Sequence, residues 1–289
     1  MSLNVVSDGM GSWAYGFVEP LLQRTFPKTV ITYDNTKRPD LVVRSHFTRL
    51  EQIAPYDCPY IVWSGEAYPV RLMPGARPPL FALNTFKGAD SIFFPHLVGE
   101  IRETRRPAVI KPKKYCCSYA FGNPVLEREL VFRRMRSLEP TCYGFGRCSF
   151  TPDNPFVAPR DVRNTNSSLF SEFAFNVAME NTVFPGYMTE KIGHAFCSGS
   201  VPIYWGDTDT VSEFFNPAAF FNVRDYATPV AAGEAAVQIW RDPQKLQKFL
   251  DAPLTLNGVL ADYEAIYTEY RPWQKPMVDR LRDAFPDLS

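Results

Sequence analysis

The sequence predicts an α/β protein built on parallel sheets, and three observations support that prediction. Residues Phe173–Asp207 follow the order strand, loop, helix, strand, which is the βαβ unit of a parallel sheet. Short β-branched runs also alternate with helical spacing in the N-terminal part of the chain. The chain has 289 residues, 45% of them hydrophobic, which is enough for two ordinary domains or one large α/β domain.

The N-terminal part is predicted to contain one helix among several short strands. Apolar residues recur at helical spacing over Tyr15–Phe26. The predicted strands are short runs bounded by Asn, Pro, Ser or Gly: Leu3–Ser7, Val30–Tyr33, Leu41–Arg44, Tyr60–Trp63 and Ile92–Phe94. Parallel sheets bind ligands at the carboxyl ends of their strands, so Asp8, His46 and Glu66 are the polar residues of interest there.

A segment rich in Arg, Lys and Pro, residues 102–114, is predicted to link this part to a second βα series. That series is predicted to contain strands at Tyr115–Ala120, Phe173–Met179, Val201–Trp205 and Phe220–Val223, and helices at Val125–Leu138, Ala231–Trp240, Asp242–Leu250, Leu256–Tyr270 and Trp273–Phe285. Tyr143–Gly146 is predicted to be a loop. The predicted domains are 1–111 and 112–270, followed by a helical tail, 271–289.

The composition excludes some classes of partner. Basic and acidic residues balance at 31 each, which argues against nucleic acid or an anionic membrane surface. The apolar runs are too short for a membrane span, and Met1–Asp8 does not resemble a signal peptide. We expect a cytoplasmic protein, with peripheral membrane attachment or a removed targeting segment as alternatives. The six cysteines are expected to be buried free thiols, with a Cys142–Cys148 disulfide as the alternative.

A lysine stands at the start of a predicted helix. Tyr187–Lys191 opens a helical pattern after a loop that contains Pro185 and Gly186. The start of a helix is partly positive, so Glu190 suits it and Lys191 does not. A helix start with an added lysine is suited to a phosphate group, whereas the alternative is a solvated surface lysine. Arg128 is a second cation in the first turn of a predicted helix.

Glu66 and His46 are the candidate general bases. Glu66 follows a predicted strand in Trp63–Glu66, where Gly65 is interpreted as leaving room for a ligand. A solvated loop glutamate is the alternative on spacing alone. His46 is a single loop histidine, and the three histidines are too scattered in the sequence to predict a metal cluster.

Asp207 and Asp209 form a DxD pattern after an apolar strand. Such a pair can hold Mg²⁺ or Mn²⁺ against a nucleotide diphosphate, because hard cations prefer oxygen ligands. Here the pair also precedes a helical run, Val211–Phe215, and either carboxylate could cap it. Capping is the favoured interpretation, and metal binding stays open.

Four motifs, in this order and spacing, resemble the α-1,3-fucosyltransferases, glycosyltransferase family 10. The family elements are F-x-x-x-x-E-N, Y-x-T-E-K, V/I-P-I/V-Y-W-G and F-x-N-V-x-D/N-F/Y. The chain carries the corresponding residues at Glu180-Asn181, Tyr187–Lys191, Val201–Gly206 and Phe221–Tyr226. The resemblance is strong over Tyr115–Tyr226 and weaker in the N-terminal part, and it looks closest to the short bacterial members.

The resemblance implies the GT-B architecture, two Rossmann-like domains facing across a cleft. Residues 1–111 would bind the acceptor and residues 112–270 would bind GDP-fucose. The implied reaction is inverting transfer of L-fucose from GDP-fucose to a glycan hydroxyl. The implied acceptor position is O3 of GlcNAc in a LacNAc-type glycan, and the product would be of the Lewis-antigen type. GDP-fucose and an oligosaccharide are the expected partners, and no metal or other cofactor is expected.

The resemblance also implies roles for individual residues. Glu66 matches the proposed catalytic base, and Glu190 would accept hydrogen bonds from ribose hydroxyls. Arg128 best matches the arginine that contacts phosphate, with Arg133 as the second choice. The full set of expected donor-binding residues is Arg128, Glu180, Asn181, Tyr187, Glu190 and Lys191.

Two other classes of protein stay open from the sequence. One is a metal-dependent transferase with another nucleotide-sugar donor, which would use Asp207 and Asp209. The other is a non-catalytic carbohydrate-binding protein, suggested by the aromatic content of 15% and by Trp63, Tyr68 and Trp273. Chelation of metal ions distinguishes the first class, and a GDP-binding measurement distinguishes the second.

Overall fold

The computed structural model describes residues 1–8, 15–45, 57–68, 77–88, 91–145, 147–149, 152, 156 and 170–288. The chain divides into two compact units. The first unit comprises Met1–Arg102, Phe184–Tyr187 and Gly258–Ser289, and the second comprises Glu103–Val183 and Met188–Asn257.

The secondary structure alternates strands and helices along the described residues. The strands are β1 (Ser2–Asp8), β2 (Val30–Thr32), β3 (Leu41–Ser45), β4 (Tyr60–Ser64), β5 (Ala82–Asn84), β6 (Ile92–Phe93), β7 (Tyr115–Tyr119), β8 (Cys142–Gly144), β9 (Phe173–Val177), β10 (Val201–Tyr204) and β11 (Phe221–Asn222). The helices are α1 (Tyr15–Thr25), α2 (His96–Glu100), α3 (Leu126–Leu138), α4 (Glu190–Cys197), α5 (Thr208–Phe214), α6 (Pro229–Trp240), α7 (Pro243–Asp251), α8 (Val259–Glu264) and α9 (Lys275–Ala284).

Each unit is built on one parallel sheet. Among the described residues, the first sheet has six strands in the order β2-β1-β3-β4-β5-β6 and the second has five in the order β11-β10-β9-β7-β8. Every strand pairing is parallel, with Val5 opposite Leu41 in the first sheet and Cys117 opposite Phe175 in the second. In both sheets the first two strands lie in reverse order beside the third, which is a doubly wound arrangement.

The central strands are buried along their whole length and mostly apolar, with polar exceptions at Arg44, Ser45, Ser64 and Asn176. Every residue of β3, β4 and β9 is buried. Parallel strands that carry helices on both faces show such continuous apolar runs rather than alternation. In the second unit, Val131, Phe132 and Met135 of α3 pack with the strands into one buried cluster that α6 and α7 extend.

The structure confirms most predicted elements and corrects some. Tyr143 and Gly144 belong to β8 rather than to a loop, because Cys142 to Gly144 pair with β7. β5 and α2, which are three and five residues long, are not predicted from the sequence. All six cysteines are free thiols, so the alternative of a Cys142–Cys148 disulfide is wrong.

The C-terminal segment belongs to the first unit. Residues Gly258–Ser289 group with Met1–Arg102, whereas the sequence places 258–270 in the second domain and 271–289 in a separate tail. Specific contacts hold the segment there: the Tyr267 hydroxyl donates to the Val98 carbonyl oxygen at 2.6 Å, and the Phe285 ring lies 6.2 Å from that of Phe26.

The helix predicted at Leu256–Tyr270 is shorter than its apolar pattern suggests. It begins at Val259, ends at Glu264 and continues as a 3₁₀ turn, Ala265–Tyr267. Arg24 on α1 donates to the Ile266 carbonyl oxygen, which an uninterrupted helix would use itself. None of the helices in the described chain combines the length and hydrophobicity needed to cross a lipid bilayer.

Candidate active site

The strand order of the second unit creates a topological switch point between β7 and β9. In a doubly wound sheet, the crevice outside the carboxyl ends of the two strands at this point is where ligands bind. The chain leaves β7 through Phe121 into α3, and it leaves β9 through Met179, Glu180 and Asn181. Side chains from these two segments meet at the carboxyl edge of the sheet.

Arg128 of α3 is fully buried at this switch point, with 0% of its surface exposed. Its Nη2 donates to the Met179 carbonyl oxygen at 2.7 Å and to Asn181 Oδ1 at 3.0 Å. Its Nη1 donates to the Asn123 carbonyl oxygen at 3.3 Å. The guanidinium carbon lies 3.6 Å from the centroid of the Phe121 ring, a close cation–π contact.

The Arg128 cation retains an unused donor. Burial lowers the pKa of the guanidinium, while Tyr119 and Glu180 act in the opposite direction. Among the described residues, the buried Nε of Arg128 has no hydrogen-bond partner. A buried polar group without a partner is costly, and a guanidinium matches the oxygens of a phosphate. Arg128 is therefore chemically suited to an anionic ligand.

Glu180 is fully buried, and both of its carboxylate oxygens are engaged. Oε1 accepts a hydrogen bond from the Thr189 backbone N–H at 2.7 Å, and Oε2 accepts one from the Thr189 hydroxyl at 2.7 Å. The Glu180 backbone N–H donates to the Trp205 carbonyl oxygen at 2.8 Å, which ties the segment after β9 to the segment after β10. A Cβ at Gly206 would lie 3.0 Å from Glu180 Cγ, so the backbone encloses this carboxylate closely.

Lys191 lies beside this carboxylate in the first turn of α4. Its Nζ donates to Thr189 Oγ1 at 2.8 Å and lies 3.3 Å from Glu180 Oε2 and 3.7 Å from Glu190 Oε1. Burial alone lowers the pKa of the ammonium, but Glu190 and Glu180 together outweigh that effect and raise it. The side chain is only 15% exposed, so the alternative of a solvated surface lysine is wrong.

Thr189 is the N-cap residue of α4, yet its side chain does not cap the helix. It has extended backbone dihedrals, with φ −109° and ψ −176°, and its hydroxyl is committed to Glu180 and Lys191 instead. In the sequence, Thr189 stands out only as part of the Tyr187–Lys191 motif. Its position beside two charged residues was the available signal for a role.

Tyr187 precedes this helix in a turn that groups with the first unit. Its backbone N–H donates to the Phe184 carbonyl oxygen at 2.9 Å, and its side chain is 1% exposed. Gly186 has a φ of +86°, and a Cβ there would lie 2.6 Å from the Lys87 backbone nitrogen. Only glycine fits both the dihedral angle and this close approach.

Glu66 follows β4 in the first unit and is partly exposed. Its backbone N–H donates to Ser64 Oγ at 3.3 Å. A Cβ at Gly65 would lie 2.2 Å from His96 Nδ1, so the imidazole already fills that space. The interpretation that Gly65 leaves room for a ligand is therefore wrong. His96 Nε2 in turn lies 3.4 Å from Glu100 Oε1.

The remaining candidates lie elsewhere or outside the described residues. Arg133 is exposed and pairs with Glu129 at 3.3 Å rather than facing the switch point. Asp207 is the N-cap residue of α5, but its side chain accepts no capping hydrogen bond, and Asp209 lies in the first turn. No group of three or more His, Cys, Asp or Glu in the described part of the chain could hold a metal ion. His46 lies outside the described residues.

Comparisons with known sequences point to one family. The family model described as glycosyltransferase family 10 (fucosyltransferase), C-terminal part, matches residues 111–257. The alpha-(1,3)-fucosyltransferase FucT of Helicobacter pylori is 33% identical over 133 residues, which cover 46% of this chain and 25% of that protein. The 4-galactosyl-N-acetylglucosaminide 3-alpha-L-fucosyltransferase 9 of Homo sapiens is 28% identical over 121 residues, 41% of this chain and 31% of that protein. The aligned regions span 25% to 31% of the length of these relatives.

Solved structures share the fold over nearly the whole chain. An alpha1,3-fucosyltransferase crystallised with GDP-fucose aligns with a TM-score of 0.61 at 19% identity, covering 94% of this chain and 92% of that one. The DNA-modifying enzyme beta-glucosyltransferase aligns with a TM-score of 0.53 at 12% identity, covering 98% and 99% of the two chains. At these identities the likeness concerns the fold alone, and it confirms the α/β fold of the GT-B class.

Proposed function

The chain belongs to glycosyltransferase family 10, the fucosyltransferases, and we propose that it is an α-1,3-fucosyltransferase that uses GDP-fucose as its donor. The matched region includes Arg128, Glu180, Asn181, Glu190 and Lys191. The names of both sequence relatives specify transfer of fucose to a 3-position, and one names a 4-galactosylated N-acetylglucosamine as the acceptor. These names support O3 of GlcNAc in a LacNAc-type glycan as the acceptor.

The observation that carries the proposal is a pair of cations at the carboxyl edge of the second sheet, the buried Arg128 and the 15% exposed Lys191. Arg128 and Lys191 both lie close enough to the Glu180 carboxylate to interact with it electrostatically. Arg128 contacts the segment after β9, and Lys191 lies in the first turn of α4, where the helix dipole favours an anion. Buried cations beside a helix start suit a diphosphate far better than they suit a neutral sugar.

The leaving diphosphate is the group that these cations would stabilise. As the bond between fucose C1 and the β-phosphate oxygen breaks, negative charge grows on GDP and positive charge grows on the sugar. Preorganised donors at the site of developing charge lower the barrier. A hydrogen bond to a charged group contributes roughly 1.5–3 kcal/mol, so the loss of Lys191 would slow transfer by about 10–150-fold.

The acceptor hydroxyl would be activated by Glu66. The hydroxyl oxygen attacks fucose C1 from the side opposite GDP, and its proton passes to the Glu66 carboxylate. One such displacement converts the β-linked donor into an α-linked product with inversion. General-base assistance of this kind typically contributes about 10²–10⁴-fold. Glu190 is proposed to accept hydrogen bonds from the ribose hydroxyls of GDP, and Tyr187 and Asn181 to complete the donor site.

We propose that the reaction needs no metal ion. The role of a divalent cation against the diphosphate is assigned to Lys191, Arg128 and the start of α4. Asp207 and Asp209 are proposed to serve the start of α5 rather than a metal, since acidic residues near a helix N-terminus are favourable.

The proposal is tested by incubating the purified protein with GDP-fucose and three acceptors: LacNAc, lacto-N-biose and GlcNAc. We expect release of GDP and a product whose fucose is α-linked to O3 of GlcNAc by NMR. A β-linkage would exclude inversion, and a different substituted hydroxyl would exclude the assigned acceptor position. No transfer from GDP-fucose, with transfer from another nucleotide sugar, would overturn the proposed donor.

Binding of GDP measured by calorimetry gives a second test that does not depend on the acceptor. Lys191→Ala should weaken GDP binding, whereas Lys245→Ala is the matched control. Lys245 lies in the same unit with its side chain 62% exposed, and it pairs with Asp242 at the start of α7. Equal GDP affinity for Lys191→Ala and the wild type would remove Lys191 from the donor site.

A further inference from the structure

We infer that Glu180 and Thr189 position Lys191 for the donor diphosphate and that neither of their side chains contacts the donor. This inference rests on the proposed function. It changes the role expected for Glu180, which the sequence places among the residues that touch GDP-fucose. It also gives a role to Thr189, for which neither the sequence motif nor the family likeness implies one.

The hydrogen bonds of the Glu180 carboxylate argue for an indirect role, because both of its oxygens are already engaged. Its side chain is 0% exposed, and each carboxylate oxygen already accepts a short hydrogen bond from Thr189. The backbone at Gly206 lies close against it, since a Cβ there would be 3.0 Å from Glu180 Cγ. A ribose or phosphate group would have to displace these contacts to reach the carboxylate. Glu180 therefore serves as the fixed end of a chain of hydrogen bonds.

Thr189 is the middle of that chain. A hydroxyl has one proton to donate, and Thr189 donates it to Glu180 Oε2 at 2.7 Å. The oxygen then has a lone pair available, and it accepts from Lys191 Nζ at 2.8 Å. The direction of both hydrogen bonds is fixed, because an ionised carboxylate can only accept and an ammonium group can only donate. The lysine is thus held through a relay that ends on a buried negative charge.

This arrangement leaves Lys191 able to bind a further anion. An ammonium has three donors, and the bond to Thr189 uses one of them. Glu180 Oε2 at 3.3 Å lies within reach of a second donor, whereas Glu190 Oε1 at 3.7 Å is an ion-pair partner, so a third donor can turn to an anion. The relay also keeps the Thr189 hydroxyl from capping α4, so it does not cover the N–H groups of the first turn.

The first experiment is a double-mutant cycle on GDP affinity, measured by calorimetry. Thr189→Val removes the hydroxyl at nearly constant volume, and we expect it to weaken GDP binding roughly tenfold, as the loss of one charged hydrogen bond does. Thr189→Ser keeps the hydroxyl and should stay within about threefold of the wild type. In a Lys191→Ala background, Thr189→Val should add less than about twofold, because its effect runs through the lysine.

Each result of the cycle supports or overturns the inference. Thr210→Val is the matched control, because Thr210 is a buried threonine on α5 in the same unit, with 1% exposure. It should leave GDP affinity unchanged. If Thr189→Val and Lys191→Ala weaken binding independently, so that their effects multiply, the hydroxyl acts directly and the positioning role is wrong. If the wild type fails to bind GDP at all, the proposed function fails instead.

The pH dependence of GDP affinity distinguishes a positioning role of Glu180 from a purely structural one, because a purely structural role would leave it unchanged. Lys191 is faced by Glu190 on its own helix, by Glu180 after β9 and by the Arg128 cation on α3. The two carboxylates raise the pKa of the ammonium. Glu180→Gln removes one of them, so the loss of affinity at alkaline pH should begin at lower pH than in the wild type. If a folded Glu180→Gln variant loses GDP affinity at the same alkaline pH as the wild type, the inference is contradicted.

Discussion

Gly65 and His96 lie in direct contact, although 31 residues separate them in the chain. The Gly65 carbonyl oxygen is 3.0 Å from His96 Nδ1, and a Cβ on Gly65 would lie 2.2 Å from that same nitrogen. The imidazole also lies against Trp63, with 5.2 Å between the ring centroids. The carboxyl end of β4, which carries Glu66, is thus held by a histidine at the start of α2.

Gly65→Ala should destabilise the first unit. The added methyl group must push the His96 ring away, and overpacking of this kind typically costs about 1–3 kcal/mol. We expect a lower melting temperature and a loss of transfer activity, with GDP affinity unchanged. The double variant Gly65→Ala/His96→Ala removes the clash and should recover part of the lost stability. A single Gly65→Ala variant that melts with the wild type would show that the imidazole moves aside freely.

Glu66→Gln should abolish transfer and leave GDP affinity near that of the wild type. The amide cannot accept the acceptor's proton, so the expected loss is about 10²–10⁴-fold in kcat. Glu19→Gln is the matched control, because Glu19 lies on α1 in the same unit and its carboxylate accepts an exposed hydrogen bond from Gln23 at 3.2 Å. Normal turnover by Glu66→Gln would remove Glu66 as the base, and His46 would then be the residue to change.

Arg128→Lys should weaken GDP binding, whereas Arg133→Lys on the same helix should not. The planar guanidinium of Arg128 stacks on Phe121 and bridges Met179 and Asn181, which an ammonium cannot reproduce. Arg133 is exposed, with its Nη2 3.3 Å from Glu129 Oε2 and its Nε donating to Ser149 Oγ at 3.5 Å. We expect a loss of about tenfold or more in affinity for Arg128→Lys, by calorimetry. The opposite order of effects would make Arg133 the residue that contacts phosphate.

The long apolar elements could be predicted from the sequence, and the shortest ones could not. Strands such as β4, with five consecutive buried residues, are predicted correctly because burial on both faces leaves a continuous apolar run. The apolar run at β5, Leu80–Leu83, contains no β-branched residue, and it is the pairing of Ala82–Asn84 with β4 that defines the strand. The shortening of α8 likewise depends on Arg24, which reaches the Ile266 carbonyl oxygen from a distant helix.

The identity of the site residues could be predicted from the sequence. Which of them contacts the ligand and which positions another residue could not. The motif around Lys191 places a cation at a helix start, and the structure shows that cation buried beside Glu180. Which of Glu180, Thr189 and Lys191 faces a ligand depends on the direction of their hydrogen bonds. That direction is a property of the folded arrangement, since Glu180 and Thr189 are nine residues apart in sequence.

Removal of metal ions is expected to leave transfer unchanged. If Lys191, Arg128 and the start of α4 stabilise the leaving GDP, a chelator has no essential ion to withdraw. We expect the same initial rate of GDP release from GDP-fucose in excess EDTA as in added Mg²⁺ or Mn²⁺. Asp207→Asn and Asp209→Asn should then keep their activity in both conditions. The opposite outcome is a rate that falls in EDTA and returns with Mn²⁺, together with loss of activity in the two aspartate variants. It would show that a metal ion held by these carboxylates binds the diphosphate.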